Sequence, residues 1–174
     1  MLRGKQTHLE NITLTNEKHY LLDGVQGDCL EILATIEPDD AEKFGLKVRC
    51  SPDGREETWL LCDRVYQFVT IEREKSSLNV NHDVLPSRQV VRNAPLAILP
   101  GEPVQIHLFL DKSVLEVFVN GRITLSSRIY PTLSDSLGVA LFTRNGRVTI
   151  TSLDIWPLNA AKQLNAASAA PRPA

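Results

Sequence analysis

The sequence predicts an all-β fold, two antiparallel sheets packed face to face as a sandwich, on three observations. Between Leu9 and Trp156 the apolar residues come in short runs rich in Val, Ile, Leu, Thr and Phe, a composition that fits a pleated, half-buried surface. Turn signals interrupt these runs about every ten residues, the spacing of a sandwich or barrel. Within the runs apolar and polar residues alternate, so each strand has one face to bury, and two such sheets bury it most simply against each other. No stretch carries the 3.6-residue period of a long amphipathic helix.

In chain order the predicted strands are residues 12–15, 29–36, 44–50, 58–63, 67–72, 104–110, 115–119, 123–126, 138–143 and 147–156. The punctuation between them is specific: Pro38-Asp39-Asp40, Ser51-Pro52-Asp53-Gly54, Pro100-Gly101, Asn120-Gly121 and Asn145-Gly146. Asn and Gly tolerate the positive φ that a two-residue hairpin turn needs at both central positions. Two hairpins are therefore predicted, 115–119 with 123–126 and 138–143 with 147–156. Alternation places Val104, Ile106 and Leu108 on one face with Gln105 and His107 opposite, and likewise Leu115, Val117 and Val119 against Glu116 and Asn120. The domain is read as 9–158, preceded by a polar lead-in at 1–8 and followed by a low-complexity tail at 159–174 that ends in two prolines.

Composition narrows the function classes. The 174 residues are 43% hydrophobic and 23% charged, as in a globular domain large enough to hold a core without metal or disulfides. Nineteen basic and twenty-one acidic side chains leave a formal charge of −2, too nearly neutral for the basic stripe that nucleic acid demands. No nucleic-acid partner is expected. The first ten residues hold no apolar h-region, and no later segment reaches the roughly 18 uninterrupted apolar residues of a spanning helix. A soluble chain without a signal peptide or a membrane partner is the expectation, its compartment left open.

Metal and redox chemistry find little footing. Cys29, Cys50 and Cys62 form an odd set without CxxC spacing, and His8, His19, His82 and His107 show no HxH or HExxH spacing. Free thiols, no metal site and no cofactor are the reading. There is no GxSxG elbow, phosphate-binding glycine loop or dinucleotide fingerprint. The available acids, Asp53, Glu56, Glu57, Asp111, Glu116 and Asp135, each have a ready structural duty as turn former, solvent-face charge or ion-pair partner. No catalytic residue is assigned. Trp59, Tyr66 and Tyr130 are the candidate sugar-stacking platforms, since an aromatic face can cover a furanose or pyranose while polar neighbours bind its hydroxyls.

The run Phe109-Leu110-Asp111-Lys112-Ser113-Val114-Leu115-Glu116-Val117-Phe118-Val119-Asn120-Gly121, followed by Ser127-Arg128-Ile129-Tyr130-Pro131, resembles the C-terminal module of glycoside hydrolase family 32, the family of invertases, levanases and β-fructosidases. Phe44-Gly45-Leu46-Lys47-Val48-Arg49, Ile71-Glu72-Arg73-Glu74-Lys75-Ser76-Ser77, Ser136-Leu137-Gly138-Val139 and Ser152-Leu153-Asp154-Ile155-Trp156 extend the resemblance along the chain. It implies a concanavalin-like, jelly-roll type sandwich that in full-length relatives is attached to a five-bladed catalytic propeller. That propeller's Asn-Asp-Pro-Asn-like, Arg-Asp-Pro and Glu-Cys motifs have no counterpart in this sequence, which contains no Asp-Pro or Glu-Cys pair. Of the matching positions, Arg73, Asp111, Glu116 and Arg128 are read as structural or domain-interface residues, Glu116 and Arg128 as a cross-strand charge pair, Arg73 as reaching a neighbouring carboxylate or facing the propeller, and Asp111 as an acceptor in the turn before Ser113.

Two functions compete on this reading. One is a non-catalytic module that braces a propeller domain, with an apolar sheet face for docking or for self-association. The other is a free-standing carbohydrate-binding module for fructans or related glycans, with an exposed Trp or Tyr beside hydrogen-bonding residues.

Overall fold

The computed structural model describes residues 2–17, 19–79 and 91–159. His82 and residues 160–174 of the predicted tail lie outside the described residues. Among the described residues thirteen strands are formed: β1 (Thr7–Leu9), β2 (Ile12–Thr15), β3 (Tyr20–Gln26), β4 (Cys29–Glu37), β5 (Lys43–Cys50), β6 (Thr58–Asp63), β7 (Phe68–Glu72), β8 (Val91–Pro95), β9 (Val104–Asp111), β10 (Val114–Val119), β11 (Ile123–Arg128), β12 (Gly138–Arg144) and β13 (Arg147–Pro157). The described residues contain no helix. Sheet one runs β1-β13-β4-β9-β10-β11, with β2 also paired to β13, and sheet two runs β3-β12-β5-β6-β7-β8. Each pairing in both sheets is antiparallel. The predicted two-sheet antiparallel sandwich is the observed fold.

Alternation builds the core. Leu30, Ile32, Ala34 and Ile36 of β4, Val104, Ile106, Leu108 and Leu110 of β9, and Leu115, Val117 and Val119 of β10 are all buried in one cluster. Sheet two answers with Phe44, Leu46 and Val48, Leu60 and Cys62, Val69 and Ile71, and Val139 and Leu141. A fully buried Leu, Ile, Val or Phe stabilises by about 1.5–3 kcal/mol, which makes this cluster the principal term holding the sheets together. In β13 the parity changes: Val148 and Ile150 are buried, then Leu153 and Ile155. A register shift between Ile150 and Ser152 inserts one extra residue, and that bulge turns both apolar pairs inward.

The first predicted hairpin is present. β10 and β11 pair in register from Val114↔Arg128 to Val119↔Ile123, and Asn120 (φ 49) and Gly121 (φ 60) take the positive angles for which they were selected. The second hairpin is corrected: β12 and β13 do not pair but belong to different sheets. The Asn145-Gly146 step is a corner that carries the chain from sheet two to sheet one. Backbone groups near it are already engaged, Thr143 N donating to Glu17 O (2.7 Å), Asn16 N to Gly146 O (3.0 Å) and Glu42 N to Asn145 O (3.1 Å). Both edges of β12 are likewise occupied, by β3 and β5.

Three strands carry no readable signal in the sequence. β1 is three residues long, although the segment before it is also tied in by an Arg3–Leu158 bridge. β3 contains Asp23-Gly24, which reads as a turn; Gly24 at φ 73 instead forms part of an irregularity in the pairing with β12. β8 is largely exposed and ends in Pro95, as suits the edge of a sheet.

Candidate functional site

On the outer face of sheet two, Trp59 stands at the centre of a cluster of charged side chains. Alternation along β6 sends Leu60 and Cys62 inward and leaves Trp59 on the opposite face. Its neighbour in register is Lys47, and Phe142 lies opposite Gly45 on the next rung. Gly45 is required here: a Cβ would stand 1.9 Å from Leu60 O and 3.3 Å from the Phe142 ring. Across this bare position the rings of Trp59 and Phe142 meet, centroids 4.9 Å apart and tilted by 49°.

Lys47 Nζ lies 4.0 Å from the Trp59 ring centroid and 3.0 Å from Glu57 Oε2. Lys47 and Glu57 are both buried, so the indole partly roofs an ion pair that has left water and survives by mutual neutralisation. His19 Nδ1 lies 3.5 Å from the same Nζ. The Arg144 guanidinium rests 4.6 Å from the Trp59 centroid. Two open clefts adjoin the indole, one of about 380 Å³ lined by Glu57, Glu72, Glu74, Lys75 and Arg144, the other of about 450 Å³ reaching His19 and Asp53. Glu57 thus meets its expected duty as an ion-pair partner.

Tyr66 and Tyr130 lie elsewhere. Tyr66, 70% exposed, sits in the turn beyond the Asp63↔Phe68 pair, whereas Trp59 pairs with Glu72 four steps back, a separation of about 13 Å along the strand. Lys43 Nζ stands 5.7 Å from the Tyr66 ring. Tyr130 follows β11, near Arg73 at the opposite end of β7. Tyr66 and Trp59 therefore form no common platform, and it is Trp59 that has several charged groups gathered about it.

That opposite end is organised by a residue given only a generic duty in the sequence. Glu56 is 0% exposed. It accepts hydrogen bonds from Thr132 N (2.8 Å), Thr132 Oγ1 (2.6 Å), Leu133 N (3.0 Å), Ser136 Oγ (2.6 Å) and Leu78 N (2.9 Å). It is thus neither a solvent-face charge nor an ion-pair partner but a staple joining three chain segments. Burial pushes its carboxyl upward, yet the bonds from Ser136, Thr132 and Leu133 outweigh it and hold the group at about 2. Arg49, a bulge residue at φ 54, reaches the same region and donates to Ser136 O (2.7 Å) and Lys112 O (3.2 Å). Asp53 does form the turn assigned to it, accepting from Ser51 Oγ (2.6 Å) and Arg55 N (3.1 Å).

The other motif positions also meet mostly backbone and hydroxyl groups. Buried Arg73 donates from Nη1 to Arg128 O at 2.8 Å. Arg128 donates to Ser113 Oγ at 2.9 Å, while Glu116 lies opposite Ser126, so the expected Glu116–Arg128 charge pair is not among the ion pairs of the described residues. Asp111 accepts from Cys29 Sγ at 3.5 Å. The cysteines are free; burial pushes the thiols of Cys50 and Cys62 up to about 12, which keeps them protonated and unreactive. Among the described residues no group of three or more His, Cys, Asp or Glu is placed to hold a metal ion, and no helix is long and apolar enough to cross a membrane.

Sheet one carries its own outer cluster. Glu31 is bound by Arg3 Nε (2.7 Å) and lies 2.7 Å from His107 Nε2. Arg3 also stands 4.2 Å from the Trp156 ring. Leu33, His107 and Phe118 are consecutive partners across β4, β9 and β10, with Leu33 38% and Phe118 37% exposed. The sequence pattern did not single out Arg3, Glu31 or Leu33, because the partners come from strands distant in the chain.

The architecture defines an antiparallel β-sandwich module with long-range polar staples at its end and one tryptophan-centred cluster on an outer face. Comparison with known proteins carries the assignment further. Residues 1–157 match the family profile described as Glycosyl hydrolases family 32 C terminal, and the chain belongs to that family. A sucrose-6-phosphate hydrolase of Zymomonas mobilis is 31% identical over 167 residues, covering 92% of this chain and 30% of that protein. A levanase of Bacillus subtilis is 32% identical over 160 residues, covering 90% and 23%. The chain spans less than a third of the length of these relatives. Among solved structures, fructan 1-exohydrolase IIa of Cichorium intybus superposes with a TM-score of 0.79 at 18% identity over 92% of this chain and 36% of that one. Exo-inulinase of Aspergillus awamori gives 0.73 at 22%, over 90% and 29%.

Proposed function

We propose that this chain is a non-catalytic accessory module that braces a propeller-type catalytic domain and has no glycosidase activity of its own. The observation that carries this reading is the extent of the match: the C-terminal family profile accounts for residues 1–157, while the chain spans 30% of the sucrose-6-phosphate hydrolase and 23% of the levanase. The buried carboxylates support it. Glu56 is saturated by hydrogen-bond donors, Glu57 is paired with Lys47, and Glu31 is held by Arg3 and His107. Their capacity serves folding, whereas glycoside hydrolysis needs an acid and a base facing the scissile bond.

The outer face of sheet one supplies a docking surface of the right kind. Leu33 and Phe118 stand exposed in one cross-strand row, with the rings of His107 and Phe109 4.4 Å apart beside them. A monomer leaves such an apolar row uncovered only at some cost, and a partner domain relieves it.

The test pairs two preparations. The chain alone, incubated with sucrose, inulin and levan, is expected to release no fructose above a buffer control. Fused in place of the native C-terminal part of the Zymomonas mobilis sucrose-6-phosphate hydrolase, it is expected to raise the melting temperature of the remaining enzyme by several degrees. Steady turnover by the chain alone overturns the non-catalytic assignment, and a fusion no more stable than the truncated enzyme overturns the bracing role.

A further inference from the structure

The clefts beside Trp59 hold polar groups whose bonding capacity is not used by the fold. Glu72 and Glu74 line the 380 Å³ cleft, and neither has a hydrogen-bond or ion-pair partner among the described residues. Arg144 is exposed and rests against the indole, yet its guanidinium donors also find no acceptor among the described residues. Lys75 Nζ lies 3.9 Å from Glu57 Oε1, a loose contact that leaves donors free. The neighbouring Glu56, by contrast, is fully tied down. Unused acceptors and donors therefore converge on one half-buried indole.

The charge in the cleft balances. Lys47 neutralises Glu57 beneath the ring, leaving Glu72 and Glu74 against Lys75 and Arg144. An anionic or a cationic ligand would gain one pair of these groups and confront the other. A neutral ligand rich in hydroxyls can use both, donating to the carboxylates and accepting from the cations, while its C–H face covers the indole. The cleft volumes, 380 and 450 Å³, fall within the range of small-molecule sites, about 300–1,000 Å³.

We propose that the outer face of sheet two binds a neutral saccharide, one ring lying against Trp59 with its hydroxyls shared between Glu72, Glu74 and Arg144. The site lies on the sheet opposite the Leu33–Phe118 row, so it can be occupied whether or not a catalytic domain is docked. It stands independently of the accessory role, because it requires only the isolated sandwich.

Trp59 and Trp156 are the two tryptophans, and they belong to different sheets. Their indole N–H resonances, assigned with Trp59→Phe, provide an internal control. The isotope-labelled chain is titrated with sucrose, a fructo-oligosaccharide and a malto-oligosaccharide as neutral probes, and with glucose 6-phosphate and glucuronate as charged ones. The Trp59 resonance is expected to move saturably with at least one neutral probe while the Trp156 resonance stays fixed. Substituting Glu72→Gln and Glu74→Gln together, and separately Arg144→Met, is expected to weaken that binding about tenfold with the melting temperature unchanged. No saturable movement with any probe, movement at Trp156 alone, tighter binding of a charged probe, or unaltered affinity in both variants overturns the proposal. Failure here leaves the accessory role standing, since that role is read from the stability of a fusion and not from sugar binding.

Discussion

Glu56 is the residue on which the motif end of the sandwich depends. Its carboxylate takes the place of water for the Thr132, Leu133 and Leu78 amides and the Thr132 and Ser136 hydroxyls. Its pKa, held at about 2 against an ordinary 4.5, sets the sign of the pH dependence. A depressed native value means that the unfolded state binds the proton first. The stabilisation is therefore complete above pH 4.5 and lost as pH falls from there toward 2. A shift of this size corresponds to about 3 kcal/mol. Glu56→Gln keeps the shape but turns an amide N–H₂ toward donors, so urea unfolding at pH 7 is expected to show a loss of about 2–4 kcal/mol. The variant should also lose stability less steeply than the parent between pH 5 and 3, while Glu31 and Asp63, also held below their ordinary values, retain part of the slope. An equal slope in parent and variant would mean that Glu56 is not the group being titrated. Nothing local announces this role: the bonded partners lie 22, 76, 77 and 80 residues away. The same holds for Lys47 and Arg144, whose contact with Trp59 depends on which strands become neighbours, and for Glu72 and Glu74, which sit within a quoted family motif but are not distinguished by it.

At the level of the strand, Gly45 joins backbone packing to the Trp59 cluster. Replacing it by Ala places a methyl group 1.9 Å from the Leu60 carbonyl oxygen, a backbone atom that cannot yield without separating β5 from β6. Gly45→Ala is expected to cost about 3 kcal/mol or more in thermal or urea unfolding. If the variant folds, the Trp59–Phe142 contact is expected to loosen, read as altered tryptophan fluorescence; a variant as stable as the parent would contradict the close approach of the two strands. Strands that alternate on a buried face were legible, because Val104-Gln105-Ile106-His107-Leu108 has one solution that removes its apolar atoms from water. Strands whose stability comes from a neighbour, such as exposed β8 or irregular β3, were not. Asn-Gly shows the limit most directly. The same dipeptide closes a hairpin at 120–121 and turns a corner between sheets at 145–146, since positive φ permits both and only the availability of unpaired partner strands selects.

For the molecule as a whole, the two outer faces have unlike chemistry, and this separates the docking surface we propose from the polar cleft. Sheet one presents Leu33 and Phe118, part-exposed on either side of His107; sheet two presents Trp59 among balanced charges. The sequence held the alternation that made Phe118 face away from Val117, but not its alignment with Leu33, which requires β4, β9 and β10 to lie side by side. Hydrophobic burial between domains should therefore be concentrated on sheet one. Leu33→Lys combined with Phe118→Lys adds charge at exposed positions, so the isolated chain is expected to unfold within about 0.5 kcal/mol of the parent. In the fusion with the truncated sucrose-6-phosphate hydrolase the same pair is expected to remove most of the gain in melting temperature, because two apolar contacts become two buried, unpaired cations. A fusion indifferent to the substitutions would move the docking surface elsewhere on the sandwich. A large loss in the isolated chain would instead show that Leu33 and Phe118 already contribute to the module's own stability, as in self-association through this face, which sedimentation of the parent at several concentrations would then reveal.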